Sequence, residues 1–132
     1  MTVLIDTHCW LWWMVSPERL SNQALDIIQD GENTILFSAV SSWEIAIKYA
    51  IGKINLPEPP DEFVPKRLIR DGFTSISIEH THALFTASLP RHHNDPFDRL
   101  LIAQALLEQV PIMTADAAIE LYDVDIIRAD QS

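Results

Sequence analysis

His93-Asn94-Asp95-Pro96-Phe97-Asp98-Arg99-Leu100-Leu101-Ile102-Ala103-Gln104-Ala105 runs from a polar, proline-containing loop straight into an almost wholly apolar segment. Asp95 has the chemistry of a helix N-cap, Pro96 suits the first helical position, and Asp98 falls in the first turn. From Leu100 to Leu107 only Gln104 interrupts the apolar run. A helix apolar on nearly every side is buried. The sequence therefore predicts a rigid core helix whose positive N-terminal end, bearing two carboxylates, faces outward from the core. Capping alone accounts for acids at these positions. Asp98 gains a chemical role only where other acids converge on it.

Working outward, 132 residues with 48% hydrophobic content suit one domain with its own core. The single cysteine, Cys9, allows no intrachain disulfide and fits a reducing cytoplasm. No apolar run is long enough to cross a bilayer, and the start Met1-Thr2-Val3-Leu4-Ile5-Asp6 reads as a strand, not a secretory leader. A net charge of −10 argues against non-specific nucleic-acid binding. The same charge suits a divalent cation or a basic protein partner.

Short apolar strands alternate with helices along the chain. Strands are predicted at Thr2–Ile5, Thr34–Phe37, Phe73–Ile78, Val110–Met113 and Val124–Ile127. Helices are predicted after Ser21, over Val40–Ile51, Asp61–Ile69, Glu79–Ala87 and Ala117–Leu121, besides the organising helix. Lys53–Pro65 reads as a proline-rich connection. His8–Val15 holds three Trp in four positions, which suit core and a dimer or partner patch. The alternation predicts an α/β fold with a mainly parallel sheet. In such a sheet ligands bind beyond the carboxyl ends of the strands. Asp6, Glu44, Asp98 and Asp116 are each expected a short step past a strand, and hence in one crevice. Asp6 could equally cap the following segment. Glu44 could equally form a surface pair with Lys48.

Four clustered acids repel one another unless a cation sits among them. Hard oxygen donors select Mg²⁺, with Mn²⁺ as a substitute, over zinc. Mg²⁺ held by carboxylates suits activation of water against a phosphodiester.

Asp6 behind the first strand, Ser42-Trp43-Glu44-Ile45-Ala46-Ile47-Lys48 with Gly52-Lys53, Asp95 to Ala105, and Thr114-Ala115-Asp116 together resemble the PIN domain. More narrowly they resemble the VapC toxins of bacterial type II toxin–antitoxin pairs. The resemblance spans nearly the whole chain, as one domain over 1–132. It implies a Rossmann-like three-layer α/β/α sandwich and a Mg²⁺-dependent endoribonuclease. It also implies a homodimer silenced by a VapB-type antitoxin. Carried over by position, Asp6 and Asp98 would hold the metal, and Glu44 and Asp116 would complete the catalytic cluster directly or through water. Asp95 lies outside the general pattern. Thr7, Ser42 and Thr114 would hydrogen-bond the acids or water. Lys48, Lys53, Arg91 and Arg99 are candidate RNA contacts, with Lys66, Arg67 and Arg70 a possible extension. The acidic balance predicts modest, salt-sensitive RNA affinity. Two rivals stand beside this reading. One is an aspartate-dependent phosphatase, although Asp6 lacks a second neighbouring acid. The other is a PIN-like binding or scaffold module that does not cut RNA.

Overall fold

The computed structural model describes residues 1–130; the last two residues of the expected domain lie outside them. Five strands form one sheet: β1 (Thr2–Ile5), β2 (Thr34–Ser38), β3 (Thr74–Ile76), β4 (Ile112–Thr114) and β5 (Ile126–Arg128). Their order is β3-β2-β1-β4-β5, and every neighbouring pair is parallel. The chain builds outward from β1 to β3, then returns to the other side of β1 for β4 and β5. The reversal falls between β1 and β4, where a crevice opens beyond the carboxyl ends.

Side chains alternate across the sheet, as a two-residue period requires. Val3, Ile5, Ile35, Phe37 and Met113 enter one core with Trp10, Ala24, Ile28 and Phe63. Leu4 and Ile112 enter the other with Leu101, Ile102 and Ala105. Helices α1 (Thr7–Val15), α2 (Asn22–Gln29) and α4 (Pro60–Asp71) supply the first layer. Helix α6 (Pro96–Glu108) dominates the second, with α5 (His80–Phe85) against it. Helix α3 (Ala39–Ala50) serves both, sending Val40 to one core and Ile45 to the other. The result is the expected three-layer α/β/α sandwich.

Apolar density hides α1 from periodicity, because residues on all sides of it are large and hydrophobic. Trp10 is fully buried, its ring 4.8 Å from Phe37 and 6.0 Å from Phe63. Trp12 lies under Arg19, and Trp13 Nε1 donates to Asp71 at 3.0 Å. Helix α4 begins at Pro60 and runs through Pro65, so the proline-rich connection is shorter than the sequence suggests. Proline removes one helical N–H there, and burial of Phe63 and Val64 carries the helix onward. The segment 117–121, expected as a helix, is a 3₁₀ turn at Ile119–Leu121.

Gln104, the polar interruption in α6, is fully buried. Its Oε1 accepts from Ser38 Oγ at 2.6 Å, and its Nε2 donates to Ser77 O at 3.1 Å. One amide thus ties α6 to the ends of β2 and β3. Gln104→Leu removes the acceptor for the buried Ser38 hydroxyl and the donor to Ser77 O, an expected loss of about 2 kcal/mol by urea denaturation.

Candidate active site

Asp6 follows β1 and caps α1. Its Oδ1 accepts from Cys9 N at 2.8 Å. Its Oδ2 accepts from Thr114 Oγ1, at the end of β4. The two sides of the switch point are therefore laced together through one carboxylate. Asp6 is 3% exposed, and burial raises its pKa against the lowering effect of the Thr114 bond. Asp116 stands two residues further on. Thr114 Oγ1 accepts from its N–H, and Asp116 Oδ1 accepts from Ala118 N.

Asp98 reaches this crevice from the first turn of α6. It does not follow a strand by a short step, as the sequence reading had it; α5 and a loop intervene after β3. It arrives there because a crossover helix runs opposite to the strands, which places the helix N-terminus at their carboxyl edge. Asp95 caps α6, its Oδ1 accepting from Phe97 N and Asp98 N at 2.9 and 3.1 Å. Burial, followed by the charges of Asp95, Asp116 and Asp6, pushes the Asp98 carboxyl up to about 8. Asp98 at the helix start thus feels the charges of its cap and of the strand-end acids Asp6 and Asp116.

Glu44 is 1% exposed on α3. Its Oε2 accepts from Lys48 Nζ at 2.5 Å, whereas its Oε1 is buried with no hydrogen-bond partner among the described residues. Ser41, three residues before it on the same face, accepts from Thr7 Oγ1 at 2.8 Å. That bond joins the face carrying Glu44 to the helix start beside Asp6.

Several sequence-based assignments change. Ser42 lies about 100° around α3 from Ser41. It lines a groove against Val64, Leu68 and Phe73, so Ser41 takes the role expected of it. Arg99 is buried, and for the same rotational reason points away from Asp98. Its guanidinium donates to Pro90 O, Leu89 O, Thr86 O and the Tyr122 hydroxyl, and is not available to RNA. Lys48 is engaged by Glu44. Lys53 lies beyond the far end of α3, about 18 Å along the helix from its N-terminus. Lys66 and Arg67 pair with Glu58, and Arg70 with Asp71, so they form no free cationic track. Arg91 alone of the four candidates stays exposed beside the crevice without an ion pair among the described residues.

His93, read in the sequence only as part of a basic loop, touches the acids directly. Its Nε2 lies 3.3 Å from Asp98 Oδ2 and its Nδ1 2.8 Å from the Tyr122 hydroxyl. Arg99 donates to that hydroxyl at 2.9 Å. The Tyr122 hydroxyl, accepting from Arg99, then donates to His93 Nδ1, which assigns Nε2–H as the donor to Asp98. The partner Tyr122 lies 29 residues away in sequence, so no local signal announces it.

A doubly wound sheet with Asp6, Asp98 and Asp116 at its switch point, and Glu44 buried on neighbouring α3, defines an α/β protein with a carboxylate-bearing crevice. The sequence profile of the PIN domain matches residues 3–125. The chain belongs to the PIN domain family. Over 61 residues, 46% of this chain, it is 48% identical to "Ribonuclease VapC16" of Mycobacterium tuberculosis, spanning 43% of that protein. Over 116 residues it is 28% identical to "Ribonuclease VapC22" of the same organism, covering 87% of each. It superposes on a chain of VapBC2 from Rickettsia felis, solved bound to a promoter DNA fragment, with a TM-score of 0.73 and 16% identity. That alignment covers 98% of this chain and 100% of the other. A toxin-antitoxin complex from Klebsiella pneumoniae aligns with a TM-score of 0.65 and 16% identity, over 96% of each chain. These two likenesses establish the fold.

Proposed function

We infer that this chain is a divalent-cation-dependent endoribonuclease, the toxin of a toxin–antitoxin pair. The observation that carries the reading is the placement of acids at the switch point of a PIN fold: Thr114 Oγ1 links Asp6 to Asp116 there, and Asp98 stands in the first turn of α6. The ribonuclease names of the relatives and the toxin–antitoxin complexes among the structural neighbours support it.

The donor set fits a hard cation. It is made of carboxylate oxygens, one of them, Glu44 Oε1, buried without a partner. Among the described residues no three His, Cys, Asp or Glu side chains form a ready-made metal cage. Mg²⁺ does not need one, since it takes one or two carboxylates and keeps several waters. Asp6 and Asp98 would hold Mg²⁺ or Mn²⁺ directly, with Glu44 and Asp116 acting directly or through water. Asp95 is assigned capping and charge, not ligation. When bound, such an ion neutralises the acids and stabilises charge on a phosphoryl group.

The chain's own residues orient this set. Cys9 N and Thr114 fix both oxygens of Asp6, Lys48 turns Glu44, and His93 braces Asp98. No side chain offers itself as nucleophile: the Thr7 and Thr114 hydroxyls are committed, and burial pushes the Cys9 thiol up. Water therefore attacks. A phosphoryl-acceptor role for Asp6 is disfavoured because Thr7, His8 and Cys9 follow it, with no second acid beside it.

As one domain over residues 1–132, the chain would act in the cytoplasm as a homodimer until a VapB-type antitoxin covers it. No helix among the described residues is long and apolar enough to cross a membrane. A basic antitoxin segment would complement the charge of −10.

Purified protein freed of antitoxin is expected to cut RNA with Mg²⁺ and to stop with EDTA. Cleavage unaffected by EDTA would remove the metal from the account. Thr114→Val removes the donor to Asp6 while keeping its shape. An activity loss of about 10- to 100-fold is expected from a support contact of this kind.

A further inference from the structure

Trp43 immediately precedes Glu44 on α3, and Phe97 immediately precedes Asp98 on α6. The two aromatic rings meet with centroids 5.2 Å apart at an interplanar angle of 76°. Trp43 nevertheless remains 54% exposed, so Phe97 props the indole without covering it. Beside it opens a cavity of about 360 Å³, lined also by Thr86, Arg91, Asn94 and Leu100. Asn94 and Pro96 of the lining flank Asp95, so the cavity opens at the N-terminal end of α6, whose first turn carries Asp98.

Three chemistries meet in this cavity. The exposed indole supplies a stacking surface. Arg91 supplies a cation, and it makes no ion pair among the described residues. Asn94, exposed on the same loop, carries an amide that both donates and accepts. Of the basic residues nearest the cavity, Lys48 is held by Glu44 and Arg99 by backbone carbonyls. An unpaired Arg91 beside an exposed aromatic suits a phosphate linked to a flat base. The volume lies near the lower end of small-ligand pockets, about 300 to 1,000 Å³, and suits one unpaired base better than a duplex.

We propose that the cavity between Trp43 and Arg91 is a nucleotide subsite that stacks one unpaired base of single-stranded RNA beside the acidic crevice. It rests on the ribonuclease reading and deepens it by naming the residues of this chain that hold one base beside the site. Trp43 stacks the base, Arg91 meets a phosphate, and Asn94 reads the base edge. Trp43 and Asn94 then set sequence preference, while the carboxylates do the cutting.

The test uses full-length protein carrying Asp98→Asn, so that RNA is bound and not consumed. Fluorescence anisotropy is measured with a labelled single-stranded RNA oligomer and with the same oligomer annealed to its complement. Adding Trp43→Ala is expected to weaken single-strand binding about tenfold or more and to leave duplex binding unchanged. Trp43→Phe restores most of the affinity. Arg91→Ala lowers the salt slope by about one contact. Exposure of Trp43 keeps these variants folded, which thermal melts check. Single-strand affinity that ignores Trp43, or an equal loss for both RNAs, overturns the subsite. So does a Trp43→Ala effect confined to self-association or to protein partners. If the parent cuts no RNA yet the oligomer binds through Trp43, the ribonuclease reading falls and the subsite stands. If the parent cuts RNA and binding ignores Trp43, the reverse holds.

Discussion

Asp98→Asn is expected to lower RNA cleavage about a thousandfold, several kcal/mol of transition-state stabilisation, while making the cation-free protein more stable at pH 8. The two effects have one cause. Burial and then Asp95, Asp116 and Asp6 push Asp98 up to about 8, well above the ordinary carboxylate value. The folded state thus binds a proton that the unfolded state releases. The stability associated with that proton is fully present at pH 4 and below, and is lost as pH rises toward 8 and beyond. Asn never ionises. The variant should match the parent near pH 4 and exceed it above pH 8 by about 2 kcal/mol, after allowance for relaxation and water entry. Thermal melts across that range, without divalent ions, measure the difference. Added Mg²⁺ should raise the melting temperature of the parent and leave the variant unmoved. A variant that is inactive because it has lost stability at every pH would contradict this account.

Arg99→Ala should be the most damaging change outside the acid cluster, costing about 3 kcal/mol and lowering Tm by about 10 °C. The guanidinium is buried and spans 2.8 Å to Pro90 O, 3.0 Å to Thr86 O and 2.9 Å to the Tyr122 hydroxyl. Its removal takes the donor from the buried Tyr122 hydroxyl and Leu89 O and from the part-buried Pro90 and Thr86 carbonyls, and releases the loop that carries His93. Arg99→Lys should recover little, since an ammonium cannot span that fan of acceptors. Urea denaturation measures the loss. At a permissive temperature, cleavage should also fall, because His93 loses its Tyr122 brace against Asp98. A change below about 0.5 kcal/mol, ordinary for an exposed site, would mean the loop is held by other contacts.

The parts legible in the sequence are those governed by local chemistry. Thr2–Ile5 reads as a strand because a short apolar run ends at an acid, and the structure places β1 over those residues. Asp95-Pro96 marks the start of α6 by capping and by fixed φ, and the helix begins at Pro96. Parallel order follows from alternation of strands and helices. Once the sheet is parallel, Asp6 and Asp116 must lie near each other. What stayed hidden depends on rotation about a helix or on distant partners. Asp98 and Arg99 are adjacent in sequence yet face a crevice and a buried loop respectively. Ser41 and Ser42 differ in the same way. The pairs Thr7–Ser41 and His93–Tyr122 join residues 34 and 29 positions apart, and no periodicity encodes them. Helix α4, expected over Asp61–Ile69, continues through Pro65 because packing of Phe63 and Val64 outweighs one missing hydrogen bond.

The central claim is that acids from separate elements form one divalent-cation centre. Isothermal titration calorimetry with Mg²⁺ tests it most directly, on the parent, on Asp6→Asn, on Asp98→Asn, and on Asp61→Asn as a carboxylate outside the crevice. The account predicts saturable binding by the parent and by Asp61→Asn, and its loss in both crevice variants. Equal Mg²⁺ binding by all four proteins would contradict it.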